Sequence, residues 1–517
     1  MPGVHVVWFK RDLRAYDHAP LMAAAERGIV LPLFIVEPAL WRQPDYAGRH
    51  WAFAAECLIE LRAQLSALGQ PLVVRVGAAV PVLRGIANGL PIEAVWSHEE
   101  TGNGWTFQRD LTVKRFLAAG RIPWHELPQN GVVRGLETRD QWTRTWEQRM
   151  REPLRLPPPL RRISGVDPGA IPTAAQLGLR PDSCPDRQSG GRSRGERVLD
   201  SFLSDRGSDY NKVMSSPNTA FEGCSRLSPH LAWGSLSMRE VVQATRLRRD
   251  RVRALPRDQR GAWPAALAAF EGRLHWHCHF VQKLESEPRI EFENLHPACD
   301  GLRENDFDTE RFEAWQAGHT GYPMVDACMR ALRAGGWINF RMRAMLVSFS
   351  SYQLWLHWRR PALNLARLFT DYEPGIHYSQ MQMQSGTTGI NTLRIYNPVK
   401  QSEDHDPEGS FIRRWLPELE GVPTQWIHSP WLMPSQVQRQ SGCVVGKHYP
   451  SPIVDHLSAA REARGRLRAV RGSQEARAQG KSIQKKHGSR RGSASTSSAR
   501  NRERARKKYR AVKVEES

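Results

Sequence analysis

Over the first 130 positions, short runs of β-branched and aromatic residues alternate with longer stretches in which apolar residues recur at helical spacing. Residues 4–8 (Val-His-Val-Val-Trp), Val30–Val36, Leu72–Val76 and Ala94–Ser97 read as buried strands, being nearly continuous in apolar character. Ala19–Arg27, Trp51–Leu68 and Val80–Ala87 read as the helices between them. Strands alternating with helices predict an α/β domain over residues 1–130, built on a doubly wound parallel sheet. Such sheets take ligands beyond the carboxyl ends of their strands, which singles out the loops Phe9–Arg14 and His98–Trp105. Neither contains GxGxxG or a P-loop, so a standard dinucleotide or triphosphate cradle is not expected there.

Residues 131–195 read as a linker, with proline runs after Leu156 and a Gly/Ser/Arg-rich stretch from Ser189. Residues 196–460 read as an all-α domain punctuated by Pro229, Pro264, Pro323 and Pro361. Its densest signal runs from Ala314 to Pro398. Pro323 opens a helix carrying Met324, Val325, Cys328, Met329 and Leu332, and Gly335 and Gly336 close it. Arg341 and Arg343 follow, then an apolar helical run from Ala344 to Trp358, then Asp371 and Glu373. Two arginines followed by two acids read either as a structural ion-pair set or as the lining of a charged site. From Arg461 to Ser517 apolar and aromatic content falls, and the segment reads as a disordered basic tail or a helix formed on a partner.

Composition changes this picture in three ways. The net charge of +21 points to a polyanion, nucleic acid first, with the tail either as its contact or as a solubility element. Eighteen tryptophans suggest large aromatic cores, stacking sites or electron relays. The 7 cysteines form no CxxC pair, so no metal site is expected, although His275 and His279 stand one helical turn apart. No apolar stretch is long enough to span a bilayer, and no leader opens the chain; a cytoplasmic monomer is the expectation.

Several motifs, in order, resemble those of the photolyase/cryptochrome family of flavoproteins. They are Val6-Val-Trp-Phe-Lys-Arg-Asp-Leu-Arg14 with Asp17 and His18, the segment Gly223-Cys-Ser-Arg-Leu-Ser-Pro-His-Leu-Ala-Trp-Gly-Ser-Leu-Ser237, Gly321–Asp326, Arg394-Ile-Tyr-Asn-Pro398 and Glu408–Glu418. The resemblance covers residues 4 to about 456. It implies an antenna domain followed by a helical FAD-binding domain, and either blue-light repair of pyrimidine dimers in DNA or photoreception without repair. It implies that Tyr210, Cys224, Ser225, Leu227 and Ser228 hold the FAD phosphates, by hydroxyls and backbone N–H groups near a helix start. Arg343 and Asp371 match the ion pair beside the isoalloxazine ring, with Glu373 in place of the family's second acid. Glu99, Glu100 and Trp105 fall where some members contact a pterin or deazaflavin antenna.

The catalytic positions depart from the family pattern. Glu271 falls in register with the glutamate that hydrogen-bonds the dimer in repair enzymes. His377 stands where an asparagine usually faces flavin N5; a neutral imidazole there has one hydrogen bond to donate, an imidazolium would favour anionic flavin, and a histidine satisfied within the core is the alternative reading. Trp358 matches one of the three relay tryptophans. The flavin-proximal relay position falls in Met381–Met383 and the outermost near Asn305, which implies a broken relay with Tyr352, Trp355 or Tyr378 as substitutes. The dimer-flanking aromatics become Leu274 and the Met381–Met383 stretch, while His275, Trp276, His277 and His279 crowd one helix, where a structural or base-stacking role is expected.

Overall fold

The computed structural model describes residues 3–390 and 393–488. Five strands, β1 (Val4–Phe9), β2 (Ile29–Val36), β3 (Val73–Val76), β4 (Ile92–His98) and β5 (Trp124–Leu127), form one sheet in the order β3-β2-β1-β4-β5. Every pairing is parallel. The expected doubly wound sheet is therefore present, with β5 as a strand that the pattern did not reveal. Its four residues are only half-buried and include His125 and Glu126, so they carry no apolar run. Helices α1 (Ala19–Ala25), α2 (Gly48–Ala67), α3 (Ala79–Gly89) and α4 (Gly104–Ala119) connect the strands. α4 begins inside the expected His98–Trp105 loop, because Asn103 caps it by accepting from the Thr106 N–H at 3.1 Å. The strand order reverses between β1 and β4, so the two loops singled out by sequence meet at the switch point.

The 131–195 stretch is not wholly a linker: α5 (Trp142–Arg151) buries Trp142, Trp146 and Met150. Residues 152–191 carry no helix, as their prolines dictate. The second domain opens with α6 (Arg192–Ser201), followed by α7 (Met238–Ala254) and α8 (Trp263–Ser286). α7 starts on a capping box between Ser237 and Glu240. Then come α9 (Pro323–Gly335), α10 (Phe340–Ser348), α11 (Arg359–Leu368) and α12 (Pro374–Ser385). α9 ends at Gly336 in the left-handed region at φ 67°. The expected helix from Ala344 to Trp358 is interrupted. α10 passes into one π-helical turn, Phe349–Gln353, and Trp355 sits at φ 56°, which ends the helix.

Two further helices, α13 (His456–Arg471) and α14 (Gln474–His487), correct the reading of 461–517 as disordered. Their apolar stripe is sparse but sufficient: Ala463 and Leu467 join Tyr352 in a small core, and the His296 ring contacts the Ala476 carbonyl at 3.0 Å. Residues 489–517, the rest of that expected tail, lie outside the described residues.

Candidate functional site

The charged centre of the helical domain is the Arg343–Asp371 pair. Arg343 projects from α10 and Asp371 from the turn before α12. The guanidinium meets the carboxylate through both ends, at 3.1 and 2.8 Å, its Nε donates to the Ile338 carbonyl at 2.8 Å, and its plane lies 4.0 Å from the Phe369 ring centroid. A bidentate, three-sided hold of this kind fixes the guanidinium plane.

Around the pair lies the loop that the sequence marked for phosphate. Tyr210 is buried at the start of a short helical turn, and Cys224, Ser225 and Leu227 lead into the turn Ser228–Ala232, with Pro229 just inside it. Arg206 Nη1 donates to the Cys224 carbonyl at 2.8 Å. Arg226, within the same motif but not selected from sequence, has φ 59° and is 8% exposed. Its guanidinium stacks on Phe221 at 3.9 Å and Trp337 at 4.2 Å, while Nε and Nη1 are buried without a hydrogen-bond partner. Burial pushes its pKa down to about 10. A buried cation with spare donors, near Arg343 and Arg206, is what the pyrophosphate of FAD requires. The donor set thus fits the group.

His377 is buried on α12, and its Nε2 donates to the Ala362 carbonyl at 2.9 Å. A carbonyl oxygen only accepts, so the proton is on Nε2 and Nδ1 is left as an acceptor. Burial pushes its pKa down to about 4, keeping it neutral. The single hydrogen bond expected for donation to flavin is thus spent on the backbone. Glu373 faces the α/β domain, 3.6 Å from Arg11, whose Nη2 also reaches the Tyr372 carbonyl at 2.5 Å. With His277, whose buried Nδ1 has no partner, these residues line a polar cavity between the domains.

Trp358 is fully buried and donates from Nε1 to Asn294 Oδ1 at 2.9 Å. Its ring meets Tyr378 at 6.5 Å. Tyr352 and Trp355 instead flank the Arg303 guanidinium, at 5.6 and 4.5 Å, so of the three expected substitutes Tyr378 touches Trp358.

Glu271 does not join this group. Its side of α8 faces α7, where Arg246 and Arg249 stand three residues apart on one face. Arg246 Nε donates to Oε1 at 2.7 Å and Arg249 to Oε2, and Arg246 also holds Glu147 at 2.9 Å. The expected dimer contact is therefore an ion-pair cluster in this structure. The residues of α8 on other sides are Arg273, which stacks over the exposed Phe340 at 5.6 Å, and Trp276, which is 39% exposed and stacked on Phe280 at 5.5 Å.

In the α/β domain, Glu100 is held by Arg109 at 2.6 Å and lies 3.6 Å from Lys10, and Arg109 also binds Glu37 at 3.0 Å. Glu99 and Glu100 also line the polar cavity beside Arg11 and Glu373, and these ion pairs line the switch-point crevice. Asp12, His18 and His98 also converge there. The Leu21 N–H donates to His18 Nδ1 at 3.1 Å, so His18 Nε2 carries the proton and donates to Asp12 Oδ2 at 2.9 Å. That nitrogen has no lone pair for a metal, and the trio ties the loop after β1 to α1 and β4.

Known proteins match this arrangement. Residues 5–154 fit the family model described as DNA photolyase, and residues 270–469 fit that of the FAD binding domain of DNA photolyase. A deoxyribodipyrimidine photo-lyase of Streptomyces griseus is 30% identical over 488 residues, spanning 91% of this chain and 99% of its own. A cryptochrome DASH of Gloeobacter violaceus is also 30% identical, over 88% of this chain and 94% of its own. The crystal structure of a bacterial class III photolyase from Agrobacterium tumefaciens superposes with a TM-score of 0.80 at 26% identity, covering 92% of this chain and 98% of that one. With its parallel-sheet domain joined to a helical FAD-binding domain, the chain belongs to the photolyase/cryptochrome family.

Proposed function

We propose that this protein is a light-driven DNA photolyase that splits pyrimidine dimers. The observation that carries the reading is the exposed Trp276, stacked on the half-buried Phe280 of α8, with Arg273 one turn before it and Lys283 5.5 Å from the Phe280 ring, on the same helix as the half-buried cavity residue His277. Exposed rings beside cations are the surface that stacks an unpaired base and meets its phosphate. Reduced FAD supplies, under blue light, the electron that opens the dimer. Arg343 and Asp371 hold the isoalloxazine ring, and the Arg343 charge favours its anionic reduced form. Tyr210, Cys224, Ser225, Leu227, Ser228 and Arg226 hold the phosphates. Neutral His377 would offer Nδ1 as an acceptor to the bound ring, and Trp358 would be a relay residue for its reduction.

A second reading, photoreception without repair, is favoured by one observation: both carboxylate oxygens of Glu271 are taken by arginines. The deciding experiment irradiates the chemically reduced, FAD-loaded protein with blue light in the presence of dimer-containing DNA. Dimer loss that tracks light dose supports the photolyase; reduced protein that binds the DNA and leaves the dimers intact supports the receptor.

A further inference from the structure

Tyr372 lies next to Asp371 in the chain, yet its side chain points across the domain interface. Its hydroxyl donates to Asp45 Oδ2 at 2.6 Å, and both residues are buried, at 1% and 2% exposure. The same oxygen accepts from Asn103 Nδ2 at 2.9 Å and lies 3.4 Å from the Tyr378 hydroxyl. The Tyr372 ring meets His377 at 5.3 Å, Tyr46 at 5.8 Å and Tyr378 at 6.4 Å. Tyr378 in turn meets Trp358. A buried phenol held by a carboxylate, within a continuous set of aromatic rings, has what one-electron oxidation of tyrosine needs: a short path for the electron and a base for the proton.

We propose that Tyr372 is a redox-active tyrosine that gives one electron toward photoexcited oxidised FAD while its proton moves to Asp45. The inference rests on the placement of the isoalloxazine ring beside Arg343 and Asp371 proposed above. The balance is closed within the named groups. Tyr372 loses an electron, which the flavin gains. The phenolic O–H breaks, and an O–H forms on Asp45 Oδ2, so Tyr372 ends as a neutral radical and Asp45 as a neutral acid. Return of the electron and proton restores both. Burial, and then the Asp45 charge, pushes the phenol far above its ordinary range, so the proton stays on Tyr372 in the dark and leaves only with the electron. Met381 and the region of Asn305 offer no tryptophan, and this pair supplies a donor where the tryptophan path is interrupted.

The test uses the full-length protein with oxidised FAD, followed by transient absorption and electron paramagnetic resonance after a blue flash. Wild type is expected to give a neutral tyrosyl signal that slows in heavy water, because the proton moves with the electron. Tyr372→Phe is expected to lose it, and Asp45→Asn, which keeps an acceptor but not a base, to lose it as well. A wild type with no tyrosyl signal overturns the proposal, as does a full signal in either variant. If one variant fails to hold FAD, the other decides; if both fail, the wild-type signal must acquire the narrowed hyperfine pattern when ring-deuterated tyrosine is incorporated, and an unchanged pattern overturns the proposal. Arg343→Ala separates this inference from the flavin placement. Absent signal with FAD retention that depends on Arg343 counts against the relay alone, and absent signal with retention independent of Arg343 counts against the placement.

Discussion

Asp371 is the buried partner of its ion pair, and Arg343 is the more exposed one, at 3% and 24% of side-chain surface. Removing Arg343 leaves a buried carboxylate without its counter-charge, which costs about 3 kcal/mol. Arg343→Ala, and Asp371→Ala to a similar degree, should therefore shed FAD on dialysis, read as flavin absorbance per protein; full retention in both would place the ring elsewhere. Glu271 has the opposite expectation. Its partners are part-exposed and Arg246 keeps Glu147, so Glu271→Ala should lower stability by about 1 kcal/mol or less in urea unfolding and leave FAD content unchanged. Unfolding at a much lower urea concentration would show that the cluster matters more. The two residues also differ in how legible they were. Arg343 and Asp371 lie between Gly321–Asp326 and Arg394–Pro398, two motifs whose order survives, whereas the face of α8 on which Glu271 falls depends on which helix docks beside it. Arg226 was readable in the Gly223–Ser237 motif, but its unpaired burial is a property of three dimensions.

Among elements, the C-terminal helices changed most between sequence and structure. A stripe of Ala463, Leu467 and Ala476 in a field of arginines has a weak amphipathic signal, and its partner surface, around Tyr352 and Leu302, is distant in sequence. The strands and α9 were legible because their apolar residues follow one period without interruption. Leu467 is fully buried, so Leu467→Ala should cost about 2–5 kcal/mol and lower the melting temperature. A melting curve superposable on wild type would mean that α13 is not docked. Deleting residues 489–517, rich in Arg and Lys, has a different expected effect. It should leave the fold intact, weaken DNA binding and flatten the dependence of affinity on salt, because fewer counterions are released. Titrations at several salt concentrations check it, and an unchanged slope assigns those residues another partner.

At the scale of the molecule, the two domains are joined by buried polar contacts that no motif announces. Arg11 reaches the Tyr372 carbonyl, Tyr372 reaches Asp45, and Glu291 accepts the Gly104 N–H at the start of α4 at 2.6 Å. Glu291 makes this interface sensitive to pH. Burial raises its pKa, the Gly104 hydrogen bond opposes that, the nearby Asp45 charge adds to it, and the result is about 7 against an ordinary 4.5. Between those values the folded chain holds a proton that the unfolded chain has released. The stability due to this group is therefore full below pH 4.5 and is lost as pH rises through 7, by an amount that approaches about 3 kcal/mol. Glu291→Gln resembles the protonated carboxyl and can still accept from Gly104. The variant should thus match wild type near pH 4.5 and exceed it above pH 7, with the difference growing across that window. Paired denaturant unfolding curves over this range measure it directly. A difference that stays constant with pH, or that grows as pH falls, would mean that Glu291 is ionised in the folded protein and that the interface is held by charge.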